Sequence, residues 1–372
     1  MYKWIDPHVH INDDPGLDLE KMFDAMINIV EENNQSAIGV LSIPSRGAEN
    51  ILQNLTALTF KALYNDDVYF YGSLEYYQYP NRPEGCDFGK QLDVLLEAGA
   101  DGMKILETKP QVRKKIGGFP FTNPAYESFF KRLMRENIPV IWHVADPEKC
   151  WYRDQVTQFC IDQGWCYDDG TYPEKEEFYQ EAFEILDKYP GMPVVFAHMF
   201  FLSADIERAD HVLEKYPNVC FDLTPGSEMY ANFSLKPDEW RDFFIKHSDR
   251  ILFGTDKGWF IDKSIEQGID ADKDISDGIR TFLETSDECE VIGVSAKGLQ
   301  LPKEVTEKIM YYNYMRLMGG KPPKRVNIEK VLAYSDNLIK QLQAGIEGIN
   351  DASVYLKRIS ELKNVLTKLE GS

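Results

Sequence analysis

Residues 2–10 read YKWIDPHVH, a short apolar run that ends in two histidines. Such a run is typical of a buried β-strand, and side chains two positions apart on a strand lie on the same face. His8 and His10 can therefore reach the same ion. In an open nucleotide-binding sheet a glycine-rich turn usually follows the first strand. The sequence DPHVH stands in that place here.

Further along the chain, short apolar runs rich in β-branched or aromatic residues alternate with amphipathic segments of helical spacing. Strands that are buried on both faces and alternate with helices indicate a parallel sheet. Eight such runs favour closure into a (β/α)8 TIM barrel, an α/β fold, over an open doubly wound sheet. The predicted strands cover residues 2–8, 37–43, 67–75, 101–106, 138–144, 193–198, 218–223 and 250–254.

The last part of the chain has a different pattern. We predict that the barrel occupies residues 1–325 and that its final helix lies near 304–318. Residues 326–372 carry two apolar stripes with helical spacing, which predict a C-terminal helical hairpin outside the barrel. The hairpin could pack on the barrel or on a neighbouring subunit, and its presence favours a homo-oligomer.

The composition excludes some classes of partner. The chain has 41 Lys and Arg against 61 Asp and Glu, a formal net charge of −20 at pH 7. This charge argues against nucleic-acid binding and against docking on an anionic membrane, which both require clustered Lys and Arg. No apolar stretch is long enough to span a bilayer. The six cysteines are scattered without a Cys-x-x-Cys pair, and no N-terminal signal is visible, so we expect a cytoplasmic protein with reduced thiols.

Four of the six histidines, and one aspartate, lie at or just after the ends of predicted strands. His8 and His10 close the first, His143 lies in the fifth, His198 ends the sixth, and Asp256 follows the eighth. The carboxyl ends of barrel strands meet on one rim, where barrel enzymes build their active sites. Imidazoles and a carboxylate with one open position are what a catalytic divalent metal requires. A single histidine at a strand end is usually structural, but the set of five favours a metal site.

These motifs resemble those of the amidohydrolase superfamily, in particular its amidohydrolase-2 branch of metal-dependent hydrolases and decarboxylases with a TIM barrel. The resemblance covers about residues 1–320 and leaves the C-terminal hairpin outside it. It is carried by DPHVH at 6–10, WH at 142–143, AH at 197–198, GTD at 254–256 and YNYMRLMG at 312–319.

The resemblance implies that His8, His10, His143 and Asp256 bind one divalent metal ion, with Zn²⁺ expected and Mn²⁺ as the alternative. Such an ion lowers the pKa of its bound water to about 7 and polarises a substrate oxygen. Asp256 would also be catalytic, taking the proton of the water and passing it to a leaving group. His198 would orient the water or stabilise a developing oxyanion.

Lys104 falls at the end of the predicted fourth strand. Two-metal members of the superfamily place a carboxylated lysine at this position to bridge the ions. The branch resemblance instead favours one metal, with Lys104 free to bind an anionic group of the substrate. A structural salt bridge is the third possibility.

Other residues near the predicted rim could also bind the substrate. Arg46, Arg153 and Lys257 are cations in a strongly acidic chain, and guanidinium and ammonium groups suit a substrate that carries a carboxylate. Trp151 could stack on a flat ring. Alternatively, the cations pair with rim carboxylates such as Asp222, and the aromatic residues pack their loop onto the barrel.

The predicted function is that of a metal-dependent hydrolase, which uses a metal-bound hydroxide to attack an amide, lactone or related carbonyl. The substrate would be a small anionic molecule bearing a carboxylate. The alternative is a non-oxidative metal-dependent decarboxylase of a small acid, for example an aromatic one, because the same ligands serve both reactions. A barrel that only binds or scaffolds is disfavoured, since no ligand position has been lost.

Overall fold

The computed structural model describes residues 3–11, 14–76, 85–226, 228–258 and 265–371, with the backbone alone for residues 265–272. A parallel sheet forms the centre, and its strands follow one another in sequence order from β1 to β8, with β9 beside β1. The strands are β1 Ile5–His10, β2 Ala37–Leu41, β3 Val68–Gly72, β4 Gly102–Thr108, β5 Val140–Val144, β6 Val194–Phe196, β7 Val219–Asp222, β8 Ile251–Leu252 and β9 Lys257–Gly258.

One chain segment joins the last strand to the first. The short strands β8 and β9 are separated only by residues 253–256; β8 pairs with β7, and β9 pairs with β1. The backbone N–H of Asp256, between the two pieces, donates to the carbonyl oxygen of His8 over 3.0 Å. The TIM-barrel prediction is confirmed, and each predicted strand overlaps an observed one, although β1 and β4 each end two residues later than predicted.

Helices surround the sheet. The described part of the chain contains no helix that is both long and apolar enough to cross a membrane. A small antiparallel hairpin, β10 Glu288–Val291 and β11 Val294–Lys297, follows α11. The helices are α1 Leu19–Glu32, α2 Gln53–Leu63, α3 Phe88–Ala98, α4 Pro110–Lys115, α5 Glu127–Arg135, α6 Gln158–Asp162, α7 Lys175–Lys188, α8 Ile206–Lys215, α9 Met229–Leu235, α10 Pro237–Lys246, α11 Ile265–Glu284, α12 Lys303–Glu307, α13 Asn313–Leu317, α14 Ile328–Ala344 and α15 Ser353–Glu370.

Local sequence explains how these helices begin and what they bury. In α1 the side chain of Asp18 accepts the backbone N–H of Lys21 over 3.0 Å, which caps the first turn. Apolar residues then recur at helical spacing and form the buried face that packs against the sheet. These residues are Phe23, Met26, Ile27, Ile29 and Val30.

Side chains fill the inside of the barrel. Tyr69 and Tyr71 of β3 pack there with Tyr314 of α13 in an interior apolar cluster, and the hydroxyl of Tyr71 donates to that of Tyr314 over 3.1 Å. The amide of Asn313 donates to the carbonyl of Ile251 over 2.7 Å, which fixes α13 at the start of β8. The amino end of the barrel is thus packed, and a site inside the barrel must open at the carboxyl end.

The C-terminal hairpin packs on the barrel. Helix α14 contacts α2 and α3, while α15 contacts α14 and α2. The connection to the hairpin passes so close to Gly99 that a Cβ there would lie 2.9 Å from the Cα of Val326. The hairpin shares the main apolar core with the barrel. Of the two options that the sequence left open, packing on the barrel or on a neighbouring subunit, the structure has packing on the barrel. The boundary at 325 and the homo-oligomer stay predictions. The buried hairpin residues include Val331, Leu338, Leu342, Ile359, Leu362 and Leu366.

We expect the substitution Leu362→Ala to lower the free energy of unfolding by about 2–5 kcal/mol, because it opens a cavity in this shared core. Leu362 is fully buried, whereas Val354 on the same helix is 46% exposed. The matched change Val354→Ala should stay within about 0.5 kcal/mol. Denaturant unfolding measures both. A loss below about 1 kcal/mol for Leu362→Ala would contradict the packing of the hairpin on the barrel.

Candidate metal centre

Five side chains predicted to form a site stand at the carboxyl ends of barrel strands. His8 and His10 end β1, His143 is the penultimate residue of β5, His198 follows β6 after one residue, and Asp256 lies between β8 and β9. Alternation along β1 places the two histidines on one face, as the sequence predicted. The barrel brings the other three to the same rim.

Three of these residues converge on a single point. The Nε2 atoms of His8 and His10 each lie 3.2 Å from Oδ1 of Asp256. Within the described residues, these three form a group whose ligand atoms all lie within 4.8 Å of one another, here called the ligand cluster. Metal–ligand distances of 2.0–2.2 Å separate neighbouring ligand atoms by roughly 3.0–3.6 Å. The spacing of the ligand cluster therefore fits a divalent ion.

The orientation of the His8 ring is fixed from behind. Its Nδ1 donates to Oδ2 of Asp222 over 2.8 Å, so Nε2 is the nitrogen that faces the other members of the ligand cluster, His10 and Asp256. Burial and nearby Lys104 lower the pKa of His8, but the carboxylates of Asp222 and Asp256 outweigh them and raise it. A proton and a metal ion would compete for the same lone pair on Nε2.

The other two histidines face each other beside the ligand cluster. Nε2 of His143 donates to the carbonyl of Ala145 over 2.8 Å, and Nδ1 of His198 donates to the carbonyl of Thr224 over 3.1 Å. The remaining nitrogens, Nδ1 of His143 and Nε2 of His198, lie 3.2 Å apart. With these partners each of the two nitrogens carries a lone pair, and a proton or a metal cation between them would relieve the repulsion of the two lone pairs.

A shared proton is disfavoured because both rings bind a proton only weakly. Burial lowers the pKa of His143 to about 3, and it also lowers the pKa of His198. A neutral pair of this kind fits a cation. Nε2 of His198 lies 3.8 Å from Oδ2 of Asp256, so the pair adjoins the ligand cluster. Of the four predicted ligands, the structure gathers three in the ligand cluster and places His143 next to it, outside that group.

His198 lies at the start of an unusual backbone turn. Four consecutive non-glycine residues, 198–201, have φ between 49° and 58°, the left-handed region. Each such residue costs roughly 1–2 kcal/mol, so neighbouring contacts must hold the turn. The N–H of His198 donates to Asp222 over 2.8 Å, and the carbonyl of Phe200 accepts the hydroxyl of Tyr179 over 2.9 Å. With about three residues per turn, His198 and Phe201 share a side, and their rings stack at 5.0 Å.

Asp222 is a residue of the site that sequence reasoning missed. It was considered only as an ion-pair partner for a rim cation, yet it joins the ring of His8 to the backbone of His198. Burial raises its pKa, but the charge and hydrogen bond of His8 outweigh burial and lower it, so the carboxylate is ionised. The available signal was its position: like Asp256, it is a carboxylate at the end of an apolar strand.

The sequence predicted Lys104 at the end of the fourth strand; the structure places it third among the seven residues of β4, next to the ligand cluster. The side chain is buried, and Nζ is 2.8 Å from Nε2 of His8. Burial lowers the pKa of Lys104 to about 8, and the carboxylates of Asp256 and Asp222 oppose that shift. The ammonium group thus places a positive charge at the floor of the site. Its role in bridging or in substrate binding stays a prediction.

Comparison with known proteins shows the family of the chain. A sequence model of the amidohydrolase-2 family, described as amidohydrolase, matches residues 80–319, more than half of the chain. The chain belongs to this family. The matched range contains His143, His198 and Asp256, whereas His8 and His10 precede it. No curated protein matches this chain in sequence.

Solved structures share the barrel. An amidohydrolase II structure has 16% identity and a TM-score of 0.51, covering 85% of this chain and 99% of that one. The 4-oxalomesaconate hydratase of Rhodopseudomonas palustris has 12% identity and a TM-score of 0.49, covering 91% and 99%. A 2,6-dihydroxybenzoate decarboxylase complexed with 2,6-dihydroxybenzoate has 13% identity and a TM-score of 0.46, covering 85% and 98%. The first of these similarities, with a TM-score above 0.5, is one of fold. The family consists of enzymes of the amidohydrolase superfamily.

Two arginines that were predicted to bind the substrate have ion-pair partners. The guanidinium of Arg46 lies 3.7 Å from Oε2 of Glu347, in the connection between α14 and α15. Arg153 pairs with Asp168 over 2.8 Å, and its side chain is 58% exposed. Both cations thus form ion pairs, as the alternative raised by the sequence proposed, but with carboxylates other than those it named. A role of either arginine in substrate binding stays a prediction.

The last two predicted substrate residues lie in different settings. Lys257 is buried in β9, directly after Asp256, and its backbone N–H donates to Oγ1 of Thr255 over 3.3 Å. The indole N–H of Trp151 donates to the carbonyl of Pro173 over 3.0 Å, and its ring packs edge-on against Tyr167. Lys257 is therefore adjacent to a residue of the ligand cluster along the chain, whereas Trp151 packs within its own loop region.

Proposed function

We propose that this amidohydrolase-family protein is a metal-dependent hydrolase that acts on an amide, lactone or related carbonyl of a small carboxylate-bearing substrate. The observation that carries the proposal is the convergence of His8, His10 and Asp256 beside the facing lone pairs of His143 and His198. Nitrogen and oxygen donors of this kind, on the catalytic rim of a barrel, suit a divalent ion that promotes hydrolysis.

One divalent ion would be held by the ligand cluster, with His143 as the fourth ligand. Imidazole nitrogens with one carboxylate oxygen favour Zn²⁺, and Mn²⁺ is the alternative. When bound, the ion would polarise the substrate carbonyl and lower the pKa of a coordinated water to about 7.

Asp256 would move the proton in the reaction. Its Oδ1 contacts His8 and His10, which leaves Oδ2, 3.8 Å from Nε2 of His198, to accept a proton and return it to the leaving group. Burial raises the pKa of Asp256, but hydrogen bonds from His10 and His8 outweigh it and keep the carboxylate ionised. His198 would orient the attacking water or stabilise the negative charge that develops on the carbonyl oxygen.

Lys104 and Lys257 would bind the carboxylate of the substrate. Both are buried; Lys104 of β4 contacts His8 of the ligand cluster, and Lys257 of β9 directly follows Asp256 in the chain. A buried ammonium interacts with a carboxylate more strongly than an exposed one, because solvent screens it less. Arg46, Arg153 and Trp151 are weaker candidates, because each is bound to a residue outside the ligand cluster.

Turnover in ¹⁸O-labelled water tests the reaction type. Zinc-loaded protein would be incubated with N-acetyl amino acids, carboxylated lactones and small aromatic acids, with detection of both ¹⁸O in the product and released CO₂. Metal-dependent ¹⁸O incorporation into a new carboxylate is expected. Release of CO₂ with no ¹⁸O in the organic product would contradict hydrolysis and favour the alternative, a non-oxidative decarboxylase. A metal-loaded protein without any turnover on the panel would favour a binding role.

The change Asp222→Asn should weaken zinc binding by roughly 10–100-fold, because it removes the carboxylate that orients His8. The matched control is Asp210→Asn, since Asp210 also accepts a histidine N–H, from His247 over 2.7 Å, but on the helical layer. Competition with a chromophoric chelator gives both dissociation constants. Equal constants for wild type and Asp222→Asn would remove Asp222 from the metal centre.

A further inference from the structure

Asp6 is a buried carboxylate that the proposed mechanism does not use. It lies two residues before His8 and is fully shielded from solvent. Its Oδ1 accepts the backbone N–H groups of His8, at 3.1 Å, and Thr255, at 3.3 Å. Its Oδ2 accepts the hydroxyl of Thr255 over 2.6 Å. A buried carboxylate is expensive unless it is hydrogen-bonded, and this one is bonded to both segments that supply the ligand cluster.

The hydrogen bonds of Asp6 cross the junction between the first and last strands. Thr255 is 249 residues away in sequence and directly precedes Asp256. The two donors to Oδ1 are therefore the backbone of one ligand, His8, and the backbone beside another, Asp256. The carboxylate of Asp6 thus links the backbone segments that carry the two ligands.

The backbone of Asp256 also depends on this junction. Its φ is 56°, in the left-handed region, which a non-glycine residue adopts only when its surroundings hold it there. Thr255 is held from the amino side by Asp6, and its Oγ1 accepts the N–H of Lys257 from the carboxyl side over 3.3 Å. Asp6 and Thr255 thus flank the strained residue with side-chain hydrogen bonds.

We propose that Asp6 is a positioning residue that, through Thr255, fixes the distance between His8 and Asp256 and thereby sets the affinity of the site for its divalent ion. The inference rests on the metal centre of the proposed function. It assigns to Asp6 no contact with the ion or the substrate.

The test measures zinc dissociation constants of the full-length protein by chelator competition, with circular dichroism as a check of folding. Asp6→Asn and Thr255→Val should each weaken binding by roughly 10–100-fold, the range for partners that orient metal ligands. Thr255→Ser keeps the hydroxyl and should bind zinc as wild type does. The double variant should lose little more than Asp6→Asn alone, because the hydroxyl of Thr255 acts through the carboxylate of Asp6. The visible spectrum of the Co²⁺-loaded protein should change in the variants that weaken binding.

The chain offers a matched control in Asp101, at the opposite end of the barrel. This buried carboxylate also accepts two backbone N–H groups, from Phe70 and Lys324 at 2.8 Å each, and one side-chain donor, Lys61. Asp101→Asn should lower the thermal stability but leave the zinc dissociation constant unchanged.

The outcomes separate this inference from the metal centre itself. Wild-type affinity in Asp6→Asn and Thr255→Val, or an equal loss in Asp101→Asn, would overturn the positioning role while the metal centre stands. A wild-type protein that binds no zinc would overturn the metal centre and the inference with it. If Asp6→Asn does not fold, the pair Thr255→Val and Thr255→Ser decides.

Discussion

Protein carrying His10→Ala should be purified without its metal ion, whereas wild-type protein should carry about one Zn²⁺ or Mn²⁺ per chain. Removing a ligand should cost more than removing a residue that orients one, for which the loss is roughly 10–100-fold. Nε2 of His10 lies 3.2 Å from Oδ1 of Asp256, and burial lowers the pKa of His10 to about 4. The imidazole is therefore neutral and available as a ligand at neutral pH. Elemental analysis of protein purified without added metal measures the content.

The control for this experiment is His211→Ala. His211 lies on the exposed face of α8, and its removal should leave the metal content unchanged. Two ions per wild-type chain would place a second ion at the facing nitrogens of His143 and His198 and make Lys104 a bridging residue. No metal in wild-type protein, even after reconstitution, would contradict the hydrolase and the decarboxylase together.

The second large effect concerns the stability of the fold rather than the site. Glu107 on β4 is fully buried, and it accepts the hydroxyl of Tyr76 over 3.0 Å, which in turn contacts that of Tyr126 over 3.0 Å. Burial raises the pKa of Glu107 to about 7 from its ordinary 4.5. The folded protein therefore keeps a proton on Glu107 at pH values where the unfolded chain has lost it.

The sign of the pH dependence follows from this difference. Below pH 4.5 both states are protonated, and Glu107 does not affect the balance. Between pH 4.5 and about 7 the folded state binds more protons, so the free energy of unfolding falls as the pH rises, by about 3 kcal/mol in all. Glu107→Gln imitates the protonated form and should lose this decline.

Denaturant unfolding of wild type and Glu107→Gln at pH 5 and pH 8 measures the effect. The quantity of interest is how much the difference between their free energies of unfolding changes from one pH to the other. Relative to wild type, the variant should gain roughly 2–3 kcal/mol on going from pH 5 to pH 8. Glu127→Gln is the matched control. Glu127, at the start of α5, pairs with Lys131, which lowers its pKa from 4.5, so it is ionised throughout this pH range and its change should leave the pH dependence as it is. A pH-independent difference for Glu107→Gln would contradict the raised pKa.

Much of the barrel could be predicted from the sequence, because a buried parallel strand is a local pattern. Apolar runs such as 138–144 and 218–223 correspond to β5 and β7, and the two stripes after residue 326 correspond to α14 and α15. The positions of His8, His10, His143, His198 and Asp256 at strand ends were readable for the same reason: a barrel turns every strand end toward one rim.

The contacts that orient the site could not be predicted in this way. Asp222 reaches His8 across 214 residues, and Thr255 reaches Asp6 across 249. The left-handed turn at 198–201 contains no glycine that would signal it. The partners of Arg46 and Arg153 were equally hidden, since each ion pair depends on a loop or connection that other elements position.

The sequence by itself thus determined the alternation of strands and helices, the helical hairpin and the residue types at the rim, because each of these follows from hydrophobic periodicity over a few turns or strand positions. The tertiary structure alone decided which ring nitrogen of each histidine faces the centre and which carboxylates support it. Those choices depend on hydrogen bonds between residues that meet only when the segment 251–258 returns to the first strand.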